Sequence, residues 1–103
     1  MSLSHQELRR WFLIYNRKYF GNKLPRETDA LFAPVEGHHA FIEDTDGAVT
    51  LQIDTRYAVD AKLWKLSLLH EMAHYSSGDW KHGVKFHIEI ARLFEAGAYK
   101  GLL

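Results

Sequence analysis

The residues His70-Glu71-Met72-Ala73-His74 carry the chemistry to be expected of this chain. On an α-helix, positions i and i+4 share a face, so the imidazoles of His70 and His74 can reach one metal ion. Glu71 then stands beside a water held by that ion and can accept its proton as general base. Zn2+ suits the site, because it takes imidazole and carboxylate ligands and in hydrolases keeps one position open for water. The chain has no cysteine. Thiolate ligands and disulfides are therefore excluded, which favours an open catalytic site over a closed structural one.

A catalytic zinc site usually takes three protein ligands, and the motif supplies two. The candidates that follow it are His82, His87 and Glu89. His82 is preferred, because it lies between the Gly78-Asp79 turn and the next helix, where the chain can double back to the metal. Glu89 would make a His-His-Glu site or would hydrogen-bond a ligand from outside. His87 points about 140° away from His82 if both share a helix.

Three helices and a small sheet must position these groups. Ser4 and Glu7 form a capping box, after which Leu8, Trp11, Phe12, Tyr15 and Tyr19 recur at helical spacing, predicting a helix over 5–20 that stops at Gly21-Asn22. Short apolar runs at 31–35, 40–43 and 49–54, with Asp46-Gly47 as a hairpin signal, predict a three-stranded, mainly antiparallel sheet. Asp60 can cap a second helix that runs to about Ser76 and ends at Gly78. Its apolar residues go nearly all the way round, so it should be buried, and unpaired polar groups on it would be costly. A third helix is expected from near Gly83 to Glu95, with Phe86, Ile90 and Leu93 inward. The sum is an α+β domain spanning 1–103.

Composition narrows the function classes. The chain has 103 residues, 47% hydrophobic and 25% charged, with zero formal net charge, so no global field draws it to nucleic acid or an anionic membrane. The basic residues Arg9, Arg10, Arg17, Lys18, Lys23 and Arg26 read as the solvated side of the first helix. The apolar run at 11–15 is too short for a secretory signal, and nothing approaches the roughly 20 apolar residues that span a bilayer. A cytoplasmic location is the expectation.

Other conspicuous residues have plainer readings. Trp11, Phe12, Tyr15 and Tyr19 fit a core better than a base-stacking platform. Trp64 is expected as a core anchor, and Trp80 as a cover over the zinc site or an exposed neighbour of it. Asp79 reads as an N-cap, His5 as a surface residue, and His38 and His39 as a solvated loop pair rather than a gate or second metal site. Tyr57, Tyr75, Tyr99 and His39 are the candidates for stabilising an oxyanion.

Three segments together resemble the SprT-like metallopeptidases, the family that includes the Spartan protease domain. They are Tyr15 to Pro25 (YNRKYFGNKLP), the helix from Leu68 to His74, and the step His82-Gly83-Val84-Lys85-Phe86, which is similar to the family's His-Gly-x-x-Phe element. The resemblance runs in the right order over nearly the whole chain, with Val49 to Ile53 where the family places the strand above the catalytic helix. It implies a minimal zincin-like domain, Zn2+ held by His70, His74 and His82, Glu71 as the catalytic base, and a protein or peptide substrate. Such a substrate is expected to lie extended along the strand at 49–53, read as an edge strand, adding a strand by backbone hydrogen bonds. The sequence stops soon after the third helix, without the family's C-terminal zinc ribbon and DNA-binding extensions, so DNA binding is not implied. The rival readings are a YbeY-type metal-dependent endoribonuclease, whose pattern generally lacks a glutamate after the first histidine, and a non-catalytic interaction module stapled by zinc. A pseudo-enzyme blocked by residues 99–103 is a further alternative.

Overall fold

A computed structural model describes residues 5–103; Ser4, the first half of the expected capping box, lies outside them. The elements in order are helix α1 (His5–Tyr19), strands β1 (Asp29–Phe32), β2 (Ala40–Thr45) and β3 (Ala48–Ile53), a short 3-10 helix (Thr55–Val59), and helices α2 (Ala61–Ser77) and α3 (Val84–Glu95). This is an α+β architecture in which α1 and α2 cover a small sheet and α3 packs on α2.

Helix α1 buries Leu8, Phe12, Tyr15 and Asn16. Its end is fixed by Asn16, whose side-chain amide donates to the Leu24 carbonyl (2.9 Å) and whose oxygen accepts from the Leu24 N–H (3.1 Å). Gly21 and Asn22 turn the chain with positive φ. Arg9 donates to the carbonyls of Thr28 and Arg26, and Lys23 to that of Ser76. Two members of the basic cluster thus tie down loop carbonyls and helix ends, a role its reading as a solvated face did not include.

The sheet order is β1-β3-β2. The longer ladder, β2 with β3, is antiparallel, and Asp46-Gly47 forms its two-residue turn with both φ values positive, as the hairpin signal predicts. The pairing of β1 with β3 is parallel, because residues 33–39 carry the chain across to the far edge before β2 begins. β1 also starts and ends earlier than the sequence pattern suggests. Pro34 has no N–H, and the Val35 N–H is taken by the Asp54 carboxylate (3.1 Å), so neither can extend the ladder. Val49, Leu51 and Ile53 point into the core from β3. β3 is therefore the central strand. The edges of the sheet are β1 and β2, which corrects the expectation that the strand at 49–53 is an edge.

Helix α2 begins at Asp60, whose carboxylate accepts from the N–H groups of Lys62 (3.0 Å) and Leu63 (3.3 Å), and ends at Gly78 with φ 70°. Trp64, Leu68, Leu69, Met72 and Ala73 are all buried on it, as an all-round apolar pattern requires. Trp64 anchors the core edge-on against Phe32. Helix α3 buries Phe86 and Leu93, while Ile90 packs against the core without full burial. No described helix is long and apolar enough to cross a membrane.

Candidate metal centre

His70, His74 and His82 converge, with one ring nitrogen of each lying within 4.8 Å of the others. Among the described residues this is the one group that offers three ligands to a metal. His70 and His74 come from the buried side of α2, one turn apart, with ring centroids 5.0 Å from each other. His82 arrives from the loop after Gly78, and its Nε2 lies 3.0 Å from that of His70. Ligands about 2.1 Å from a tetrahedral zinc stand roughly 3.4 Å apart. The three imidazoles fit such an ion.

The surroundings keep the donors in a binding state. His74 Nδ1 donates to the backbone carbonyl of Asp79 (2.8 Å), which leaves Nε2 with its lone pair free for a metal. His70 is pushed down to about 4, chiefly by burial and then by the neighbouring His74 and His82, so it is neutral at pH 7. Phe86 lies under all three rings, with centroids 4.9 Å from His70, 4.4 Å from His74 and 4.9 Å from His82. At 3% exposure it is a rigid base that links the first turn of α3 to the ligands.

Glu71 is 8% exposed and lines the same cleft as the three histidines. Burial pushes its carboxyl up to about 7, so near neutral pH it can both take and release a proton.

The loop from 78 to 83 is held from both sides. The Asp79 carboxylate accepts from the backbone N–H groups of Lys81 (3.0 Å) and Phe86 (3.3 Å). Gly83 is the residue at the N-cap position of α3, and it has no side chain to offer. Asp79 thus does cap the helix, from across the loop, while its carbonyl orients His74. That second role has no signal in sequence, because any residue carries a carbonyl.

The other candidates separate cleanly. Glu89 faces away from the cluster; its carboxylate accepts from the Ser76 hydroxyl and from Arg92 Nε (2.7 Å), and the Arg92 bond holds it below the usual carboxylate range. His87 is exposed and outside the ligand group. His38 and His39 line the cleft, but among the described residues they have no third ligand for a second metal. Trp80 is half exposed on the cleft wall, edge-on to Tyr75. His5 has a partner after all: its Nδ1 accepts from the Phe32 N–H (3.3 Å).

The cleft has a volume of about 920 Å³, and Ala40, Phe41 and Ile42 of the edge strand form part of its wall. Arg56 also lines it, which sequence reasoning did not find. No residue from 99 to 103 is among its lining residues. That segment sits instead at the other end of α3, with the Tyr99 ring tilted against that of Phe94 (centroids 6.2 Å apart) and Leu102 against the core. This removes both the self-blocked reading and Tyr99 as an oxyanion candidate.

Two solved structures superpose on nearly all of this chain. One is the metallopeptidase zymogen abylysin of Pyrococcus abyssi, with a TM-score of 0.64 and 19% identity over 91% of this chain and 87% of that one. The other is the metallopeptidase zymogen jannalysin of Methanocaldococcus jannaschii, with a TM-score of 0.59 and 17% identity over 92% of this chain and 91% of that one. The chain has a metallopeptidase-like fold. No protein-family profile and no curated protein sequence matches it.

Proposed function

We propose that this protein is a zinc-dependent metallopeptidase, SprT-like in kind, that hydrolyses peptide bonds in extended protein segments. The observation that carries the reading is the convergence of His70, His74 and His82 beside the buried carboxyl of Glu71. The likeness of the fold to two proteins described as metallopeptidases supports it. His70, His74 and His82 would hold the ion, and a zinc ion there supplies Lewis acidity toward water and the scissile carbonyl.

The chain's own groups do the rest. Glu71 accepts a proton from the attacking water as its oxygen bonds to the carbonyl carbon, and the carbonyl π pair moves onto oxygen. Glu71 then returns that proton to the amine nitrogen as the C–N bond breaks. A carboxyl that titrates near neutrality suits both transfers. The exposed edge of β2 can pair with a substrate backbone, which binds main chain and leaves side-chain selectivity weak. The proposal includes one domain over 1–103, a cytoplasmic setting and a protein or peptide substrate.

Glu71→Gln tests it. The variant is expected to load zinc as well as the wild type and to lose at least 100-fold in cleavage of an unfolded protein such as casein. Cleavage of RNA by the wild type, with casein intact, would transfer the site to the ribonuclease reading. Full cleavage by Glu71→Gln would remove Glu71 from the chemistry.

A further inference from the structure

His39, hydrogen-bonded to Tyr57, is a second constructed element in the wall of the cleft that holds the three histidines. Four observations bear on it. The backbone of His39 is fixed, because its carbonyl accepts from the Asp54 N–H (2.8 Å). Asp54 is itself buried and anchored, accepting from Val35, from the Arg56 N–H and from the Arg56 guanidinium, which holds its carboxyl down to about 2. The imidazole is fixed as well: the Tyr57 hydroxyl is hydrogen-bonded to His39 Nδ1, and the two rings meet edge to face at 5.2 Å. Finally, His39 lines the same cleft as His70 and Glu71.

The direction of that hydrogen bond decides what the ring offers to the cleft. A phenol is a better donor than a neutral imidazole N–H, and an imidazole nitrogen is a better acceptor than a phenol oxygen. Tyr57 therefore donates, Nδ1 accepts, and the proton of the neutral ring resides on Nε2. A solvated loop histidine would need no such support.

We infer that His39 presents its Nε2–H to the cleft as the hydrogen-bond donor for the scissile carbonyl oxygen as that oxygen gains charge, and that Tyr57 is the positioning residue that fixes this tautomer. The inference rests on the peptidase reading. Arg56 also lines this cleft, with two of its five N–H donors, on Nε and Nη2, given to the Asp54 carboxylate, which ties the guanidinium to that buried group. Tyr75 faces Trp80 and Tyr99 lies outside the cleft, so of the four oxyanion candidates His39 is the one that lines the cleft.

The test has an arm that needs no turnover. Long-range 1H–15N spectra of the zinc-loaded protein should show His39 as the Nε2–H tautomer, and Tyr57→Phe should convert it to a mixture. On casein, His39→Ala should lower kcat about 100-fold with KM and zinc content near wild type. His39→Gln, whose amide N–H reaches toward the same place, should recover part of the loss, and Tyr57→Phe should lower kcat less than His39→Ala. An Nδ1–H tautomer in the wild type, or wild-type kcat in His39→Ala, would overturn the assignment and leave the peptidase reading standing. A wild type that cleaves no protein substrate would overturn both.

Discussion

A Cβ atom on Gly83 would lie 2.7 Å from Oδ2 of Asp79, closer than any side chain tolerates. That carboxylate cannot swing aside freely, since it accepts the N–H groups of Lys81 and Phe86. The glycine after His82 is thus required by the group that ties the ligand loop to α3. Gly83→Ala should break this cap, which costs about 1 kcal/mol, and should let His82 drift from the other two imidazoles. Zinc affinity is expected to fall about tenfold or more, measured by competition with a chromophoric chelator. Asp79→Ala, which makes room, should lose the cap in the same way. A Gly83→Ala protein with wild-type zinc affinity would show that the loop is held by other contacts.

Phe86 supports the site from below. Truncating it removes a buried aromatic ring that stacks on His74 and meets His70 and His82 edge to face. Phe86→Ala should cost about 3–5 kcal/mol by denaturant unfolding. Phe86→Leu keeps most of the volume and should fold, yet zinc affinity should still decline, because a branched aliphatic cannot stack on His74 while meeting His70 and His82 edge to face.

Most of this arrangement was legible in the sequence, and the reasons differ by element. The i, i+4 histidines, the all-round apolar α2, the Asp60 cap, and the Asp46-Gly47 turn are local signals, and each forms as expected. The parallel pairing of β1 with β3 was not legible, since strand direction is set by where the crossing segment at 33–39 lands, and no local residue encodes that. For the same reason β3 read as an edge when it is central. The Asn16 clamp on Leu24 and the Asp79 carbonyl on His74 were also hidden, because they pair backbone groups with positions brought together only by the fold. His82, by contrast, was accessible from its place after a glycine-terminated helix.

In the metal-free protein two site residues should pull stability in opposite directions with pH. His70 lies at about 4 in the folded chain against 6.5 as its ordinary value, so between these the unfolded state holds more protons and stability rises with pH. Glu71 lies at about 7 against 4.5, so the folded state holds more protons and the stability present below 4.5 is lost as pH climbs to 7. Each contributes on the order of 2–3 kcal/mol at full extent, and over the shared window they largely cancel. Glu71→Gln removes only the falling part. With EDTA present, its Tm should rise with pH from about 4.5 to 6.5 more steeply than that of the wild type. Parallel curves would mean that Glu71 does not titrate in the fold.

The assignment of the third ligand can be separated from stability by comparing His82 with Glu89. Glu89 receives the Ser76 hydroxyl and the Arg92 guanidinium, and Arg92 in turn donates to the Tyr19 carbonyl (2.8 Å), so this network joins the ends of α1, α2 and α3. Glu89→Ala should therefore destabilise the fold by about 2–3 kcal/mol while zinc stoichiometry at a permissive temperature stays at one per chain. His82 is exposed outside the cluster and bonded only within it. His82→Ala should leave the metal-free melting temperature almost unchanged and lower zinc content as severely as His70→Ala. The two variants thus exchange phenotypes between metal loading and unfolding, and metal loss in Glu89→Ala at full foldedness would return that carboxylate to the ligand set.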